Sequence, residues 1–241
     1  MNFKAIFKTA FVLLLFAALA LGLLSYARKY PENLPWTKLD LTRPIGTFTG
    51  RKLAGLTHDA PRCQALLDDV GVAYSVLPPV HEGRCGYSDA VRISSDGLLG
   101  VGWHPPSPGL SCPVAAALVM WEREVVQPAA QLYFKTKVTD IEHYGSYNCR
   151  RIYGRSEAAW SEHATADAID VAGFRFANGM RITVRHDWKT DSTAAAFLHT
   201  IRDGACSLFS TTLSPDYNAA HADHLHLDQA ERGEMGGRVC N

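Results

Sequence analysis

Side chains able to bind a metal ion and to move protons are concentrated in two short stretches, Ser161 to Asp170 and His221 to Asp228. In the second, His221, His224 and His226 account for three of the chain's 10 histidines. On a strand, residues two apart share a face, so His224 and His226 project together while Leu225 and Leu227 turn towards a core. Two imidazoles so placed can reach one ion, or one ion and a substrate beside it. A polar strand face with hydrogen-bonded histidines has the same pattern. His221 lies one bend earlier and can join the same site.

In the first stretch His163 and Asp170 stand seven residues apart. A continuous helix separates such positions by about 10.5 Å and a strand by over about 20 Å. Ligand bonds of about 2 Å require the side chains to converge. The segment must therefore bend, with His163 on a turn and Asp170 on the strand that follows. Ala164, Ala166 and Ala168 are small enough for tight packing at such a bend. Asp170 lies between Ile169 and Val171, a carboxylate in an apolar strand. A metal, an arginine or backbone donors would each remove the cost of burying it.

The elements that position these groups are legible in outline. Cys63, Leu66, Leu67 and Val70 have helical spacing, and Gly71 supplies a stop. Residues 74–101, broken by Pro78, Pro79, Gly83 and Gly86, read as short strands and loops. Ser111 is a helix cap with Pro113 in the first turn, for a helix running to Val126; Pro128 opens another towards Phe134. Alternation predicts strands over residues 137–143, 168–173, 181–185 and 224–227, and Ser192 caps a helix to Gly204. Mixed strands and helices argue for an α+β fold.

Ser161, His163, Ala166, Ala168 and Asp170, followed by His224 and His226, resemble the motif pair of the zinc peptidases grouped around lysostaphin, the D-alanyl-D-alanine metallopeptidases and the hedgehog signalling domain. With His221 included, the closest pattern is that of the penicillin-insensitive murein endopeptidases. Across nearly all of its length beyond the N-terminal apolar run, the chain looks like the bacterial extensin-like C-terminal domain proteins, on Gly145 to Arg150, Ser161 to Phe174, and Pro215 to Asn218 leading into Asp223 to Asp228. The peptidase resemblance implies a small antiparallel sheet flanked by helices and carrying one zinc ion. It implies His163, Asp170 and His226 as ligands, water in the fourth position, and His224 as the general base beside it. Arg150 would face a carboxylate or oxyanion, with Ser161 and His221 near the metal or substrate. Two departures stand out. Ala166 occupies a position usually held by glycine, and the family's Tyr-Arg-Ser segment is rearranged to Tyr147, Asn148, Cys149 and Arg150.

The rest of the chain says where such chemistry would take place. Lys4 and Lys8 precede an apolar run from Ala10 to Leu24, closed by Arg28 and Lys29. That is the form of an export signal, long enough for a single-pass anchor. Ser25 to Ala27 also offers a cleavage site, so release into the periplasm is the alternative to an inner-membrane protein with a periplasmic domain. Six cysteines follow the run, none in a C-x-x-C pair, which in an oxidising compartment means up to three disulfides. Sequence order alone would join Cys63 to Cys85, Cys112 to Cys149 and Cys206 to Cys240. The 24 basic and 24 acidic residues balance, so no nucleic-acid partner is expected.

The expected organisation is an anchor over residues 1–29, a linker over 30–56, a helical and irregular part over 57–135, and a peptidase-like core over 136–241. The expected activity is zinc-dependent hydrolysis of peptidoglycan peptide cross-links, with stem peptides as substrate. A non-catalytic, metal-containing module that binds peptidoglycan or an envelope partner is the alternative.

Overall fold

The computed structural model describes residues 3–94, 101–106, 108–233 and 237–241. Residues 95–100, within the stretch read as strands and loops, lie outside the described residues.

The chain begins with helix α1 (Phe3–Lys29), whose 24-residue apolar stretch Ile6–Lys29 has none of its length buried. At the helical rise that stretch covers about 36 Å, enough to cross about 30 Å of hydrocarbon.

Residues 30–56, expected to be a linker, are instead fastened to the body. Within the segment, Lys52 Nζ donates to the carbonyl of Pro31 (3.1 Å) and to Thr37 Oγ1 (2.8 Å), and the Asn33 side chain accepts from the amide of Thr47 (2.9 Å). From the body, Arg123 Nη2 donates to the Leu41 carbonyl and Arg238 Nη2 to that of Thr47 (3.3 Å). Helix α2 (Thr49–Ala54) follows, and Leu39, Leu41, Leu53 and Leu56 enter the hydrophobic core. The segment has no periodicity because these leucines are inserted singly.

Helix α3 (Ala60–Asp69) forms where the spacing predicts, capped by Asp59. Two short antiparallel pairs come next: β1 (Tyr74–Val76) with β4 (Val91–Ile93), and β2 (Val80–Glu82) with β3 (Cys85–Tyr87). After β5 (Gly102–His104), Ser111 caps α4 (Cys112–Trp121). Its Oγ accepts from the Val114 amide (3.4 Å) and donates to Asp167 Oδ1 (2.5 Å), tying the cap to the segment between His163 and Asp170. Burial pushes the Asp167 carboxyl well above the usual range. Every residue of α4 is buried, so it has no polar face. A π turn (Glu122–Val126) joins it to α5 (Gln127–Phe134).

The remaining elements form one sheet of seven strands around β7 (Ala168–Phe176), with β6 (Val138–Gly145) along one edge. Its other edge is shared by β10 (Leu225–Asp228) at the start and β8 (Arg181–Thr183) further on. Strand β9 (Thr211–Leu213) pairs β10, and β11 (Val239–Cys240) closes that side. The interior pairs are antiparallel, but β5–β6 and β9–β11 at the two borders are parallel, so the sheet is mixed rather than wholly antiparallel. The strand expected over 181–185 stops at Thr183, where the Asp187 carboxylate accepts the Thr183 amide (2.8 Å) and the chain turns into the short helix α6 (Val184–Asp187). Helix α7 (Thr193–Ala205) carries the Ser192 cap. Phe174 and Phe176 of β7 stack edge-on with Phe197 of α7, and one core joins residues 39–56, α4 and the sheet.

Three disulfides close the body, and two differ from sequence order. Cys63 on α3 joins Cys112 at the start of α4, and Cys85 on β3 joins Cys149 after β6; Cys206–Cys240 is as expected. Neighbours along the chain diverge here, whereas packing of α3 on α4 brings Cys63 and Cys112 to a Cα separation of 6.0 Å.

A carboxylate with two guanidinium partners pins β6 to its neighbours. Glu142 accepts from Arg181 (2.8 and 2.6 Å) and Arg175 (2.7 Å). The Arg181 hydrogen bonds outweigh burial and, with Arg175, hold its pKa down at about 2. Because the folded pKa is depressed, this stabilisation is present above the unfolded value and is lost as pH falls through the folded one. Glu142→Gln should cost about 1–2 kcal/mol at neutral pH, a figure reduced for the solvent-facing arginines. Urea unfolding should show the difference from wild type fading between about pH 4.5 and 2.

Candidate metal centre

The site is assembled at the start of β7. His163 stands in a 3-10 turn (Glu162–Thr165), Asp170 on β7 and His226 on β10, where His226 is the direct cross-strand partner of Asp170. The turn satisfies the bend that the seven-residue spacing demands. Ser161 accepts the His163 amide (3.3 Å), and Ala166 ends the turn in the left-handed region at φ 59°. That conformation costs a non-glycine residue about 1 kcal/mol or more, while the buried Ala166 methyl returns about 0.8 kcal/mol. Alanine is thereby tolerated where glycine is usual. The turn is also fixed from outside: the Asn148 amide donates to the His163 carbonyl (2.9 Å), one residue from the Cys85–Cys149 bridge.

His163 Nε2, Asp170 Oδ1 and His226 Nδ1 converge on one another at 3.2, 3.2 and 3.0 Å. Tetrahedral ligands at zinc bond lengths lie about 3.3 Å apart, so the spacing suits such an ion. The far side of each ring is committed. His163 Nδ1–H donates to the Ser146 carbonyl (2.6 Å), and His226 Nε2–H donates to Asp228 Oδ2 (3.0 Å). These partners set the tautomers and leave a lone pair on each converging nitrogen. Three lone-pair atoms in such contact repel one another unless a cation lies among them. Without a metal, a proton does this work. Burial opposes a charge on His226, but its hydrogen bonds to Asp170 and Asp228 raise its pKa to about 9. Burial likewise opposes ionisation of Asp170, and its contacts with the His163 and His226 rings prevail to hold its carboxyl well below the usual range.

His224 sits just before β10 rather than within it, yet reaches the same point. Its Nε2 lies 3.5 Å from Asp170 Oδ1, its Nδ1–H donates to Asp223 Oδ1 (2.9 Å), and Tyr144 packs edge-on against its ring. His221 donates through Nδ1 to Asn218 Oδ1 (2.9 Å), with its ring 5.2 Å from that of His224. Burial first, then the neighbouring His224 and His226, lower the His221 pKa to about 4.

All four histidines, Asp170, Ser161 and Arg150 line one open cavity of about 420 Å³. Arg150 is exposed on its rim, and its guanidinium has no hydrogen-bonded or ionic partner among the described residues. Leu225 and Leu227 are fully buried, while His226 and Asp228 face the cavity.

Sequence reasoning gave no role to Asp228, Asp223 or the Ser146 carbonyl. The first had a signal, since it lies two residues beyond His226 on the same strand face. Asn218 had none, although it both holds His221 and donates to Tyr153 Oη (2.9 Å) across the cavity wall.

Neither a curated protein nor a solved structure shows a significant match to this chain. Residues 61–241, the whole of the body from α3 onwards, match the family described as extensin-like protein C-terminus. With that match covering most of its length, the chain belongs to the extensin-like protein C-terminus family.

Proposed function

We propose that this domain is a zinc-dependent peptidase or amidohydrolase that cleaves peptide cross-links of peptidoglycan. The observation that carries the reading is the convergence of His163, Asp170 and His226 with both ring tautomers fixed from behind, beside a further histidine in an open cavity. A purely structural zinc site closes with four protein ligands, whereas catalytic sites keep a position for water. His163, Asp170 and His226 would hold the ion. When bound, zinc lowers the pKa of its water to about 7 and polarises a carbonyl.

The chain's own groups account for the remaining steps. Asp223 fixes the proton of His224 on Nδ1, so Nε2 is free to accept a proton from the attacking water. The water oxygen bonds to the amide carbon and the C–N bond breaks. The proton held on His224 Nε2 then passes to the leaving amine, so one water is consumed for each bond cleaved. Arg150, with no side-chain partner among the described residues, supplies positive charge for a substrate carboxylate or the developing oxyanion.

The substrate assignment follows from the proposed location. Helix α1 would anchor the protein in the inner membrane with the body in the periplasm, supported by the length and apolar character of that helix and by three disulfides. The test is digestion of purified sacculi by metal-loaded protein, with chromatography of the muropeptides. Loss of cross-linked species, blocked by a chelator, is the expected result. An unchanged muropeptide profile with metal-replete protein would overturn the substrate assignment.

A further inference from the structure

A second cavity, of about 380 Å³, adjoins the metal cleft and shares Ala230 and Arg232 with it. Three arginines line it, Arg51, Arg232 and Arg238, and among the described residues no acidic side chain does. Five arginines elsewhere, Arg43, Arg123, Arg175, Arg181 and Arg202, each have a carboxylate within 4 Å. The cavity arginines are held differently.

Among the described residues, Arg238 is bound only by neutral acceptors. Nη1 donates to the carbonyls of Ser207 and Cys206, and Nη2 to that of Thr47 (3.3 Å). It caps the end of α7 and crosses close over Gly50, where a Cβ would stand 2.7 Å from Nη1 and 2.6 Å from the Ser207 carbonyl. The nearby Cys206–Cys240 bridge keeps this segment against the helix end. Arg232 gives one hydrogen bond, from Nη2 to Thr211 Oγ1 (2.5 Å), and Arg51 has no side-chain partner among the described residues. Three guanidinium groups thus gather around a concave space with donors to spare. A carboxylate or phosphate oxygen is the group that such guanidinium forks bind best.

We propose that this cavity is an anion-binding subsite. Through Arg232 it forms one bipartite cleft with the metal centre, taking a ligand whose carboxylate or phosphate lies beyond the end presented to His163, Asp170 and His226. Only the identity of the reacting end rests on the peptidase reading. The subsite stands on the cavity and its arginines.

The test uses full-length protein in a neutral, phosphorus-free detergent, titrated with inorganic phosphate and followed by the phosphorus NMR line width. Saturable broadening is expected. It should weaken about tenfold or more in Arg51→Gln/Arg232→Gln, from loss of two charge-assisted contacts, and persist in Arg62→Gln on the exposed side of α3. Circular dichroism should show both variants folded. No broadening, or broadening equal in the double variant, would overturn the subsite. Hydrolysis of sacculi without phosphate binding would do so while leaving the peptidase reading intact; phosphate binding without hydrolysis would do the reverse. A membrane arm decides the source of the anion. Reconstitution in phosphatidylcholine discs should preserve phosphate binding, and adding phosphatidylglycerol should not displace it. Displacement would identify a lipid headgroup as the occupant and overturn the bipartite cleft.

Discussion

Elemental mass spectrometry of full-length protein prepared with zinc is expected to find about one zinc per chain, and almost none in His163→Ala or His226→Ala. Each substitution removes one of three converging ligand atoms, so the affinity should fall by more than the roughly 10- to 100-fold that loss of an outer partner costs. Asp228→Asn tests that smaller effect. It keeps all three ligands but weakens the acceptor that fixes His226 Nε2–H, and the drop expected is about 10- to 100-fold in zinc affinity. A second readout is independent of activity. At free zinc about a thousandfold above Kd, chelation should lower unfolding stability by about 4 kcal/mol in wild type and by almost nothing in the ligand variants. A folded wild type that takes up no zinc would remove the metal centre.

His224→Ala is the second large effect. Zinc content should stay near that of wild type, because His224 is not among the three converging ligands, while kcat on cross-linked muropeptides should fall by about 10²- to 10⁴-fold. The separation of metal content from turnover is what a proton-transfer group predicts. Full activity in His224→Ala would dismiss the role assigned to it. If sacculus binding and the cellular phenotype survived His224→Ala but not His226→Ala, a metal-bearing module that recognises peptidoglycan without cleaving it would be the better account.

The site was more legible in the sequence than the frame around it. One local rule gave the bend, since His163 cannot meet Asp170 without a turn. The grouping of these two with His226 came from the family resemblance, and the strand period expected to pair His224 with His226 did not hold, because His224 precedes β10. Caps were equally readable, since Ser111 and Ser192 act through bonds to amides three residues away. What failed was non-local. Cysteine pairing depends on α3 meeting α4 and on β3 meeting the loop after β6, and nothing in local spacing encodes either encounter. Leu39 and Leu41 give no periodic signal because each fills a gap left by elements much later in the chain. Asp228 was visible but unread, for its value lies in the ring nitrogen of His226 that a ligand motif leaves out.

Residues 30–56 are held to the body by their buried leucines, so in the membrane-anchored protein proposed above they would set the working height of the cleft. A free run of about 27 residues would let the body wander roughly 30 Å from its exit point, sweeping a thick shell of wall. Folded against the body, the same residues act as a short post instead of a leash. The protein would then address only the layer of wall at one altitude above the bilayer, and material would have to be brought to it there.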